Sequence, residues 1–101
     1  MRIAIVSLAA GVALAPLTAV AQDTQGRNLA AACAICHGTG GRVAAGAPLI
    51  PLAGLPSDHI ATQMRAFRDG KRPATVMHQI AKGYTDPQID ALAAWYAAQK
   101  R

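Results

Sequence analysis

Apolar residues recur along this chain at helical spacing, and nowhere do they alternate in the two-residue rhythm of a strand. Leu29, Ala32, Cys33 and Cys36 fall three and four apart and predict a first helix from Gln25 to about Cys33. Asp23 or Thr24 is positioned to cap it, and Gly38-Thr39-Gly40-Gly41 to stop it. Residues 40–56 then lose the rhythm and contain Pro48, Pro51 and Pro56 among several glycines, which predicts an irregular loop with buried apolar points at Val43, Leu49, Ile50, Leu52 and Leu55. Ile60, Met64 and Phe67 restore a helical stripe, expected from about Asp58 to Arg68 with Ser57 as its cap and Gly70 as its end. Pro73 stands where a short third helix would open, with Val76, Met77, Ile80 and Ala81 inside and Gly83 as the stop. Thr85-Asp86-Pro87-Gln88 has the spacing of a capping box with a proline in the first turn, so a last helix is expected to run to about Gln99. Ile89, Leu92, Ala93 and Tyr96 share its inner face. The pattern reads as all-α: three or four helices joined by a long middle loop.

The N-terminus has a different pattern. Met1-Arg2 is followed by an almost wholly apolar run from Ile3 to Leu14, then Pro16, then Ala19-Val20-Ala21 before Gln22. A positive start, a short apolar run and a small-x-small site form a secretory leader, and the run falls short of the ~20 residues of a membrane span. Residues 1–21 are therefore expected to be cleaved, leaving residues 22–101 as one domain exported to the periplasm.

A domain of about 80 residues has a thin core and generally needs a staple such as a disulfide, a metal or a large cofactor. The aromatic inventory, Phe67, Tyr84, Trp95 and Tyr96, is too small to supply the missing bulk. The charge is modestly basic and scattered. No basic run exceeds two residues, which argues against nucleic acid as a partner.

Cys33-Ala34-Ile35-Cys36-His37 carries the chemistry. A Cys-x-x-Cys pair by itself fits a redox disulfide, half a zinc site or a haem anchor. The redox reading wants a βαβ setting and gives His37 no task. A zinc site would need two further ligands, and His59 and His78 lie at no usual spacing. A bare 33–36 disulfide closes too small a loop to stabilise much. The haem reading uses all three residues: two thiols form thioethers with the porphyrin vinyl groups, and His37 binds the iron from one side. For the other side the residues offer His59, His78, Met64 and Met77. Met64 lies on the inner stripe of its helix and reads as core, His59 reads as solvent-facing, and Met77 is open between iron ligand and ordinary core methionine.

The stretches LAAACAICHGTGG, IPLAGLP, MRAFRDGKRPATVMHQIAKGYTDPQI and LAAWYAAQ together resemble a class I monohaem cytochrome c, and within that class the small cytochrome subunit of flavocytochrome c sulfide dehydrogenase. The resemblance covers essentially all of residues 22–101, and Phe67 to Tyr84 is its most particular part. It implies the class I cytochrome c fold, with three to four helices and a long loop around one covalently bound haem c. It also implies Cys33 and Cys36 as thioether positions and His37 and Met77 as the two axial ligands. It places Gly26 and Trp95 where first and last helices cross. One departure concerns the carbonyl that accepts from the second nitrogen of the ligand histidine. Relatives often have a proline directly after the glycine equivalent to Gly46; here Ala47 follows and Pro48 comes next, and Pro48 is the expected acceptor.

The resemblance further implies an electron-transfer subunit that takes electrons from an FAD-containing flavoprotein, on which sulfide would be oxidised. No catalytic site is expected in the chain itself, since beyond the haem ligands it has no paired carboxylates and no nucleophile beside a base. A free periplasmic carrier between a membrane complex and an oxidase or reductase is the rival reading, with Lys71, Arg72 and Lys82 as docking charges. A haem sensor is a third, and a methionine at the sixth position speaks against it.

Overall fold

The computed structural model describes residues 9–13 and 17–101, with only the backbone of residues 17–23. Of the expected leader, residues 1–8 and 14–16 lie outside the described residues. Helix α1 spans Leu17–Ala30, tightens into a 3-10 turn at Ala31–Cys33 and continues as the single turn α2, Ala34–His37. The helix thus starts before the expected cap at Asp23 or Thr24, at the residue that follows Pro16 in the sequence. Gly38, at φ 81°, ends α2 as expected. A second 3-10 turn, Thr39–Gly41, leads into the loop.

Helix α3 is Ser57–Arg68, with Pro56 rather than Ser57 in the cap position. Helix α4 is only Met77–Ala81, so Pro73 precedes the helix instead of opening it. Gly83 follows α4 without a left-handed backbone; its N–H bonds to the Ile80 carbonyl at 3.1 Å. Helix α5, Asp86–Ala97, has the full capping box: the Gln88 N–H donates to Thr85 Oγ1 at 3.4 Å and the Thr85 N–H to Gln88 Oε1 at 2.9 Å.

The core forms where α5 packs against α1 and α3, and α3 against α4. Ile60 and Met64 of α3 meet Ile89, Leu92 and Tyr96 of α5, as the stripes predicted. Each large side chain buried this way contributes about 1.5–3 kcal/mol. Gly26 is buried at the α1–α5 crossing: a Cβ there would lie 2.7 Å from the Ala91 carbonyl oxygen and 3.0 Å from the Trp95 Cβ. Arg65 and Arg68 of α3 bond Asp86 Oδ1 at 2.9 and 2.8 Å, and Arg65 also reaches Asp90 at 2.7 Å, closing the α3–α5 face. Among the described residues there is no strand, and no helix is long and apolar enough to cross a membrane.

Candidate functional site

The end of α1 and the turn α2 place Cys33, Cys36 and His37 on one short stretch of helix. Cys33 is half-buried against the core, whereas Cys36 is exposed. Burial pushes the Cys33 thiol up, a shift partly opposed by the Tyr96 and Tyr84 hydroxyls. Burial also raises the Tyr84 and Tyr96 hydroxyls. All three groups are therefore neutral at neutral pH and pack as such. The tyrosines tie down the helix leading into the motif: Tyr96 OH donates to the Ala30 carbonyl at 2.9 Å and Tyr84 OH to the Leu29 carbonyl at 3.3 Å.

The Nδ1 of His37 lies 2.8 Å from the Ile50 carbonyl oxygen. A carbonyl only accepts, so Nδ1 donates in this contact, and Nε2 is the ring nitrogen left available to a metal. The acceptor corrects the expectation of Pro48. The choice between the two carbonyls falls to backbone bonds further along the loop. The Leu52 and Ala53 N–H groups both donate to the Gly41 carbonyl, at 2.9 and 3.2 Å, and this pairing brings Ile50 over His37. Ile50 is thus the site residue that sequence reasoning missed; its position before Pro51 was the available signal.

Met77 opens α4 and lies half-buried at the edge of the core, while Met64 is within it at 6% exposure. His59 is exposed, and His78 half-buried. Among the described residues no three His, Cys, Asp or Glu side chains converge, so the half-zinc-site reading gains no further ligands.

The residues present fit a large, flat, apolar group. Ile50 is 57% exposed and Leu49 42%, and beside Met77 Val76 is 53% and Ile80 42% exposed. The sequence pattern placed all four inside. They belong to the two segments that carry the His37 acceptor and Met77, where a porphyrin would cover them. The buried Nδ1 of His78, adjacent to Met77, has no hydrogen-bond partner. That is a cost of about 1–3 kcal/mol unless a bound group meets it. Arg72 stacks on Phe67 at 4.6 Å and bonds Gln63, whereas Lys71 and Lys82 are exposed.

A sequence model of the family described as cytochrome C oxidase, cbb3-type, subunit III matches residues 21–95. The chain is 35% identical over 86 residues to a protein of Chlorobaculum tepidum named cytochrome subunit of sulfide dehydrogenase, covering 85% of this chain and 76% of that one. It is 34% identical over 79 residues to cytochrome c-554(548) of Halomonas halodenitrificans, covering 74% and 93%. It is 47% identical over 73 residues to a thiosulfate dehydrogenase electron acceptor of Thiomonas intermedia, covering 70% of this chain but only 33% of that protein. This chain thus matches about a third of the Thiomonas relative and most of the other two. With a Cys-x-x-Cys-His turn, a histidine whose Nδ1 meets a backbone carbonyl and an all-helical frame, the chain belongs to the cytochrome c family, electron-transfer proteins with covalently bound haem c.

Proposed function

We propose that this chain is the haem subunit of a periplasmic sulfide dehydrogenase and takes electrons from an FAD-containing flavoprotein. The haem supplies one-electron redox chemistry. Cys33 and Cys36 would tether it, and His37, through Nε2, and Met77 would supply its iron ligands. A neutral thioether opposite imidazole favours the reduced state relative to two histidines. The observation that carries the haem assignment is the 2.8 Å contact from His37 Nδ1 to the Ile50 carbonyl, which leaves Nε2 as the ligating atom. Support for the partner comes from the Chlorobaculum relative's name and the breadth of that match. Residues 1–21, with Ala19-Val20-Ala21 as the cleavage site, support export.

The name of the Thiomonas relative favours a second reading, a free carrier that receives electrons from a thiosulfate-oxidising enzyme. Untagged purification from periplasm separates the two. A subunit co-elutes with a flavin-absorbing protein and is reduced when sulfide is added; a free carrier elutes alone, and that result sinks the subunit assignment. For the ligand set, Met77→Ala should abolish the weak far-red absorption band of methionine-bound ferric haem. A band that persists in this variant rules Met77 out.

A further inference from the structure

His37 is held only as firmly as the carbonyl it bonds, and Ile50 sits in a loop with no helix of its own. Three sets of contacts fix that loop, and two of them lead to the end of α5 and the residues just past it. Gly41 accepts from Leu52 and Ala53, and the Gly54 N–H donates to the Tyr96 carbonyl at 3.0 Å. Arg42 Nη1 donates to the Lys100 carbonyl at 2.9 Å. Tyr96 itself is 1% exposed, and its hydroxyl bonds Ala30, in the helix leading into Cys33. One residue of α5 thereby touches both supports of His37: the helix that bears the ring and the loop that bears its acceptor. Gly41 is wedged between them. It is buried at φ +78°, and a Cβ would lie 2.8 Å from the Ala53 nitrogen and 2.8 Å from Tyr96 Cδ1. Backbone and a fully enclosed ring surround it, and neither can swing aside.

We propose that Gly41 and Tyr96 are positioning residues for the axial histidine: they set the His37 Nδ1–H···O=C Ile50 bond and through it the reduction potential. The inference rests on His37 being the iron ligand. A short bond at Nδ1 gives the imidazole imidazolate character and makes Nε2 a stronger donor, which favours the oxidised metal. A looser bond reverses this and raises the potential.

The test uses the haem-loaded protein. Gly41→Ala should speed solvent exchange of the His37 Nδ1 proton, followed by NMR, by about tenfold. The midpoint potential should rise, a tenfold change in the relative stability of the two oxidation states being 59 mV for one electron. Tyr96→Phe keeps the ring and removes only the hydroxyl; it should shift both readouts in the same direction by less. It decides the matter if Gly41→Ala does not assemble. Arg65→Ala, which loosens the α3–α5 face instead, should lower the melting temperature and leave both readouts in place. A folded Gly41→Ala or Tyr96→Phe protein with wild-type exchange and potential overturns the proposal. If the wild-type Nδ1 proton lacks the large shift of an iron-bound imidazole, the ligation reading fails instead, and the two failures are distinguishable.

Discussion

Gly26→Ala tests the helix crossing on which the fold depends. The added Cβ would stand 2.7 Å from the Ala91 carbonyl oxygen. That atom is backbone of α5 and has no rotamer to escape into, so α1 and α5 must separate by several tenths of an ångström along their contact. Overpacking of this kind costs about 1–3 kcal/mol. Alanine also favours a helix over glycine by about 1 kcal/mol, which offsets part of the loss. A rigid obstacle puts the cost in the upper part of its range, and the net expectation is a destabilisation of about 1–2 kcal/mol. Gly83→Ala is the matched control. There the nearest atom is an ordinary 3.4 Å away, at the Ile80 carbonyl, and the backbone is not left-handed. The same methyl group should then stabilise by about 0.4–1 kcal/mol through the unfolded chain. For a domain of this size 1 kcal/mol moves the melting temperature by about 4–8 °C. Thermal melts of the haem-loaded variants by far-UV circular dichroism should thus move in opposite directions. A Gly26→Ala protein that melts at or above wild type refutes the close-approach argument.

Three further outcomes follow from the same geometry. Met64→Ala empties a core position between α3 and α5 and should cost about 2–5 kcal/mol in urea unfolding while leaving the far-red band intact; loss of the band would transfer the ligand role to Met64. Thr85→Ala removes the acceptor for the Gln88 N–H and should lower stability by about 0.5–2 kcal/mol, measured the same way. The Asp86 carboxyl is held below the usual carboxylate range by its bonds to Arg65 and Arg68. Its contribution is therefore complete above the ordinary aspartate pKa, near pH 4, and is lost as pH falls through the lowered value. Urea midpoints taken from pH 5 to pH 2 should show a shallower decline in Asp86→Asn than in wild type, and parallel curves would remove Asp86 from the acid transition.

The elements that could be read from the chain are those whose causes are local. The α5 start needed only Thr85, Pro87 and Gln88, all within one turn, and the buried stripes of α3 and α5 needed only periodicity. What escaped depends on residues far apart in sequence. Ile50 rather than Pro48 meets His37 because Gly41 captures two amides beyond it, and that pairing spans more of the chain than any local pattern reports. Tyr96 reads as one more inner-face residue of α5, yet its hydroxyl crosses 66 positions to the Ala30 carbonyl. Val76 and Ile80 read as inward residues of the short helix, and the polypeptide leaves them exposed beside Met77. The candidate site was legible where it is a contiguous motif, Cys33 to His37, and required coordinates where it is a loop.

The two sides of the proposed haem site are built to different standards of firmness. His37 is braced by a loop pinned to α5, but Met77 starts a helix of five residues, too short to sustain itself, with weakly covered neighbours. Under gentle heating or low denaturant that flank is the one to yield, ahead of the surrounding scaffold. The sulfur signal in the visible spectrum would then fade while the helical ellipticity still stands, which makes the short helix a fuse for the whole molecule.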